Sequence, residues 1–280
     1  MSVTLPEDLL HMYDRFTLYN SPYIAHRKGH AIDLYPSSNT APSPVRGEVT
    51  ELMSVKAPTK SYAVDEDYLI LIDTGEYVAR ILHVDPNVGE GDYVEVGDRL
   101  GEMVRSGFFA RWVSNHIHLG LRGKESNLYR ASGSMRLNID LEILPLNWDG
   151  TGEVVDTGET FAVLDKPGHP SPNQQFVGIR VGDGSGGVID GGVPHYAGGG
   201  ILGSNDYKDE RERLVYLAGT PVGTGYGRDV TWNDIDVFAN GTRITGVSLF
   251  VAKDDFGAKL ICPQTTFEEG DHVEVTIARS

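Results

Sequence analysis

Apolar and polar residues alternate with a period of two over most of this chain. Between residues 22 and 123 the alternation falls into short runs: AIDLY (31–35), GEVTELMSV (47–55), YLILID (68–73), YVARILHV (77–84), DYVEV (92–96), RLGEMV (99–104) and HIHLGLR (116–122). Such runs, rich in Val, Ile, Leu and Tyr and bounded by Gly, Asp, Asn and Pro, predict β-strands joined by tight turns. The same rhythm continues over 137–280, in LNIDLEIL, GEVVDTGETFAVLD, FVGIRVG, RLVYLAGT, DIDVFANG, ITGVSLFVA and HVEVTIA. Only near the start does the period change. Leu5, Leu9, Leu10, Met12, Tyr13 and Phe16 recur near helical spacing and predict a short amphipathic helix. The expected fold is all-β: a barrel or sandwich, then a second β-rich domain, with a short N-terminal helix.

The polar stretch KESNLYRASGSMR interrupts the strand pattern and divides the chain. The expected parts are an N-terminal helical segment (1–21), a β-domain (22–123), a linker (124–136) and a β-rich C-terminal domain (137–280). Within the last, GDGSGGVIDGGVPHYAGGGILGS (182–204) lacks the strand-then-helix context of a phosphate loop. It reads mainly as turns and a flexible loop. Nothing in the C-terminal half spells catalysis, and the expectation there is the binding of a substrate or a protein partner.

Composition narrows the function classes. A length of 280 residues suits two domains. The formal net charge is −16 and no basic cluster stands out, which argues against nucleic acid and anionic membranes as partners. Acidic residues are spread along the chain and Lys is scarce, a balance suited to a high-salt, halophilic cytoplasm. The single cysteine, Cys262, excludes an intramolecular disulfide and a Cys-based zinc site. The opening MSVTLPEDLLHMYDRF lacks the basic and apolar regions of an export signal, and no apolar run approaches the ~18 residues of a membrane span. A cytoplasmic location is expected.

Candidate chemistry centres on NHIHLG (115–120). On a strand, residues two apart share a face, so His116 and His118 point one way and Ile117 and Leu119 the other. HRKGHAIDLYP (26–36) supplies His26, His30 and Asp33, and YVARILHV puts His83 at the end of an apolar strand. Imidazoles and a carboxylate are the ligands of many hydrolytic zinc sites, which leave one position to water. The metal acidifies that water, and a neighbouring imidazole takes its proton. His11, His169 and His272 read as surface residues, whereas His195 has glycines on both sides that let a ligand approach. Arg105, Phe108, Phe109 and Trp112 just precede the His116–His118 strand and are candidate groove residues.

The order of these motifs carries a resemblance. A His-and-Asp motif is followed by A-P-x-x-x-x-G-x-V (41–49), a strand ending in Leu82-His83, V-x-x-G-D-x-L-G (94–101) and H-x-H-L (116–119). This resembles the lysostaphin-type (LytM-domain) zinc metalloendopeptidases, built on the duplicated hybrid motif barrel, over about residues 22–123. The resemblance implies Asp33 and His118 as ligands of Zn2+ and His116 and His83 as catalytic histidines. It further implies a water that attacks a peptide carbonyl, and hence a peptide-like substrate.

One position departs from the pattern. The family's first ligand histidine lies four residues before the aspartate, where this chain has Gly29. His30 is three before and His26 seven before, and both stand as candidate ligands. In a regular strand His30 and Asp33 face opposite sides; a bulge or turn at Gly29 brings either histidine to the metal. The expected function is a zinc-dependent peptidase-like hydrolase of a peptide or amide bond. The alternative is a non-catalytic binding or regulatory protein on the same barrel with a degenerate site.

Overall fold

A computed structural model describes residues 2–165, 175–182, 184–203, 211–253 and 256–280. By its internal contacts the chain forms two compact units, Met1–Phe16 with Gly29–Asp140, and Thr17–Lys28 with Leu141–Ser280. The all-β expectation holds. Among the described residues the helical pieces are one α-turn, Glu7–Leu10, and one 3-10 segment, Ile24–Gly29.

In the first unit, strands Ile32–Tyr35, Ile117–Arg122, Val78–Leu82, Glu66–Asp73, Gly47–Lys56 and Tyr93–Val94 lie side by side in that order, each antiparallel to its neighbours. A smaller sheet sets Arg99–Met103 between Thr40–Pro42 and Val84–Pro86. Gly101 is required there: a Cβ on it would lie 1.9 Å from the Asp85 carbonyl oxygen. Alternation along the main sheet separates core from chemistry. Ile117, Leu119 and Leu121, with Ile81, Ala79, Ile70 and Ile72, are almost fully buried on one face. Each larger aliphatic buried in this way contributes about 1.5–3 kcal/mol. The opposite face carries His118, Gly120 and Arg122, registered against Leu82, Arg80 and Val78. A small apolar cluster of Leu69, Leu71 and Val78, with Leu82 and Leu128 against it, covers part of that second face.

The N-terminal helix is shorter than its apolar spacing suggests. Ser2–Pro6 is a strand, paired in parallel with Arg136–Asp140, and only Glu7–Leu10 is helical. The turn has no side-chain cap, and so short a helix does not repay its nucleation, so strand pairing wins.

The second unit contains a twelve-stranded sheet. Its central run is Gly198–Leu202, Val188–Val193, Gly246–Leu249, Ala258–Ile261, Phe161–Asp165 and Thr151–Gly158. Its core is aliphatic, including Val177, Ile189, Val247, Leu249 and Leu260, and Cys262 is buried in it. The glycine-rich stretch is not mainly loop. Val188–Val193 and Gly198–Leu202 form an antiparallel hairpin within it. The physical reason is close packing: a Cβ on Gly199 would sit 2.2 Å from the Trp232 ring, and one on Gly200 2.2 Å from the Tyr19 ring. The glycines make room for aromatic side chains rather than for a turn. His169 lies outside the described residues.

Candidate metal centre

His118 and Asp33 are direct cross-strand partners, so their side chains leave the same sheet face side by side. His118 Nδ1 is 3.0 Å from Asp33 Oδ1, and both residues are buried. His26 joins them: His26, Asp33 and His118 each offer a ligand atom, all within 4.8 Å of one another. His30, half-buried, is not in this group. The backbone explains the difference. Within the Ile24–Gly29 turn, Lys28 (φ 60°) and Gly29 (φ 63°) are consecutive left-handed residues, which turn the chain sharply before the Asp33 strand. That reversal carries the more distant histidine inward. His26 Nδ1 lies 2.9 Å from the Leu18 carbonyl oxygen; donation to that oxygen leaves Nε2 as its ligand atom.

Two more imidazoles lie beside Asp33 and His118. His116 Nδ1 donates to the Ser114 carbonyl oxygen (2.9 Å), which turns Nε2 to within 3.4 Å of Asp33 Oδ1. Burial, with the nearby charges of His83 and His118, outweighs Asp33 and Ser114 and pushes the His116 pKa down to about 3. The ring is therefore neutral at neutral pH. Two lone-pair acceptors then face each other at 3.4 Å, an arrangement that a cation or a bridging donor would suit. This fits a metal centre with a coordinated water, as do the nitrogen and oxygen donors of the cluster.

His83 sits between the strands Val78–Leu82 and Val84–Pro86, in a left-handed conformation (φ 71°) that breaks the run. Its ring lies 5.2 Å from that of His116 and 5.9 Å from that of His118, centre to centre. Asp67 fixes it twice, accepting from the His83 backbone N–H (3.0 Å) and from Nδ1 (2.5 Å). Ser106 Oγ donates to the same carboxylate at 2.5 Å. Burial works to raise the Asp67 carboxyl. The hydrogen bond and charge of His83, with Ser106 and the Tyr68 amide, outweigh it and hold the group below the usual carboxylate range. Asp67 and Ser106 were not visible as site residues in the sequence. The available signal was parity: Asp67 is two residues before Leu69 and so shares the site's sheet face.

Of the candidate groove residues, Phe109 stacks on His116 (4.4 Å) and meets His83 edge-on (4.6 Å). Phe108 lies 6.5 Å from His83. Arg105 donates to the carbonyls of Ala110, Arg111 and Val113 and so braces the loop that carries Phe109 and Trp112. His11 pairs with Glu7 and His272 is exposed. His195 is held 3.3 Å from Ser248 Oγ in the second unit.

The segment bearing His26 is anchored by Asp190, a fully buried carboxylate on the Val188–Val193 strand. Asp190 accepts from Thr17 Oγ1, from the Leu18 N–H (2.6 Å) and from the Tyr19 N–H (3.2 Å). Burial raises its pKa to about 7 against those donors and the charge of His26. The native state therefore holds this proton in a window, about pH 4 to 7, where the unfolded chain has released it. Its contribution to stability is expected to grow as pH falls from about 7 to about 4. Denaturation midpoints of wild type and Asp190→Asn should then diverge with pH across that window; a pH-independent difference would overturn this.

No helix among the described residues is long and apolar enough to cross a membrane. The N-terminal model of a domain of unknown function, DUF8155, matches residues 4–139, and its C-terminal model matches 144–278. No curated protein matches the chain. A solved structure titled "Identification and structural characterization of LytU" is similar at 25% identity over 35% of this chain, with a TM-score of 0.27. The chain spans 64% of the length of that one.

Proposed function

We propose that this chain, which carries both DUF8155 domains, is a zinc-dependent hydrolase of a peptide or amide bond. The observation that carries the reading is the convergence of His26, Asp33 and His118 beside two further imidazoles, one of them backed by a buried carboxylate. The order of motifs, similar to that of the lysostaphin-type peptidases, supports it.

Asp33, His118 and His26, the last through Nε2, would hold the ion. When bound, zinc supplies a Lewis acid that acidifies a water and polarises a carbonyl. His116, neutral because it is buried and anchored through Nδ1 on Ser114, turns Nε2 toward Asp33 and receives the proton of the attacking water. His83, pinned through Nδ1 on Asp67, keeps Nε2 as a lone-pair acceptor that takes this proton on and passes it to the leaving nitrogen. Phe109 covers both rings and excludes bulk water from them. The C-terminal unit binds substrate or a protein partner in this proposal.

The test is cleavage of a mixed peptide library, oligoglycine included, followed by mass spectrometry. Zinc-loaded protein should cut, EDTA should abolish cutting, and added zinc should restore it. A chain that holds zinc in full yet cuts no peptide in the library would favour the binding-module alternative.

A further inference from the structure

Two arginines are buried on the sheet face that carries His118, and among the described residues neither has a carboxylate partner. Arg80, on Val78–Leu82, is 4% exposed, and Arg122, at the end of Ile117–Arg122, is 1% exposed. The register pairs Arg80 with Gly120 and Arg122 with Val78. Arg80 is thus the diagonal cross-strand neighbour of His118, about 7–8 Å away between Cα atoms.

Arg122 spends its donors on neutral oxygens. Nε reaches Ser134 Oγ (3.4 Å), Nη2 the Arg130 carbonyl (2.5 Å) and Nη1 the Asn127 carbonyl. Arg80 Nε is buried with no hydrogen-bond partner, and no carboxylate among the described residues pairs with either guanidinium. Burial and the adjacent charge of Arg122 lower the Arg80 pKa to about 10, so it stays a cation at neutral pH. Buried like charges without a counterion are costly. The chain has 40 acidic residues to 24 Lys and Arg, yet among the described residues none is set against this pair. Ser134 Oγ fills the space over Gly120, 2.8 Å from where a Cβ would lie, and its hydrogen bond goes to Arg122 rather than to Arg80.

We infer that Arg80, with the charge of Arg122 beside it, forms an oxyanion subsite on the sheet face that carries His118, taking the carboxylate of a peptide substrate or of a free solute. A planar guanidinium with unused donors suits a two-oxygen anion. The substrate source rests on the hydrolase reading, whereas the subsite itself does not require a metal.

The experiment titrates acetate, N-acetyldiglycine and the C-terminal amide of N-acetyldiglycine into metal-free protein, following the Arg80 Nε–H resonance by NMR. The two carboxylates should shift it saturably and the amide should not. Tighter binding of the peptide acid than of acetate identifies substrate as the source; equal binding identifies a solute site. Arg80→Gln should weaken carboxylate binding at least about tenfold, and Arg80→Lys, which keeps the charge and loses the fork, by less. The wild-type titration is decisive even if a variant misfolds. No saturable shift in wild type, or equal response to acid and amide, overturns the inference.

Discussion

His118→Ala is expected to empty the metal centre. Elemental analysis should give about one zinc per wild-type chain and background levels for the variant, with affinity reduced by more than about 100-fold. The size of the effect follows from position. His118 shares its cross-strand pair with Asp33, and its Nδ1 is the nitrogen 3.0 Å from the carboxylate. Its loss leaves two of the three grouped donors, His26 and Asp33, too few to close a site. His26→Ala should lose metal as well, because its imidazole belongs to the same group, while His30→Ala should keep it. Full zinc in His118→Ala would remove the basis for this centre, and zinc lost only in His30→Ala would shift the ligand to that residue.

Asp67→Asn is expected to keep zinc and slow hydrolysis by about 10²–10⁴-fold, mainly in kcat. The carboxylate touches none of the three candidate ligands in any hydrogen bond described above; its bonds go to His83, Ser106 and Tyr68. An amide there can offer its NH2 to Nδ1 and so favour the opposite tautomer of the imidazole. Nitrogen-15 NMR of His83 should register that change directly, which loss of packing alone would not produce. An unchanged kcat would deny Asp67 a positioning role, and zinc lost together with activity would make it a structural support of the whole centre.

The strands of the first unit were legible because a two-residue alternation is local. His83, His116, His118 and Asp33 could be named because each lies at or beside such a strand. Asp67 and Ser106 could not, because their place beside His83 depends on which strand pairs with which, a non-local fact. Asp67 looked like one more acid before an apolar run. That His26 rather than His30 lies with Asp33 and His118 follows a left-handed Lys28, a conformation that a lysine does not advertise. The glycine hairpin of Val188–Val193 and Gly198–Leu202 reads as loop in the sequence for a related reason. Turn statistics favour glycine, whereas here it is required by rings that arrive from Tyr19 and Trp232, distant in sequence.

The Ile117–Arg122 strand has a consequence for quality control. Its odd-numbered residues fill the core and its even-numbered ones carry the ligand and the arginine. A slip of one residue would turn His118 into the apolar interior and bring Ile117, Leu119 and Leu121 out to water. In the proposed centre, metal uptake and correct strand registration would therefore be one event. A misaligned copy would have no centre to load, so occupancy by an ion would certify that the sheet has closed in its proper frame.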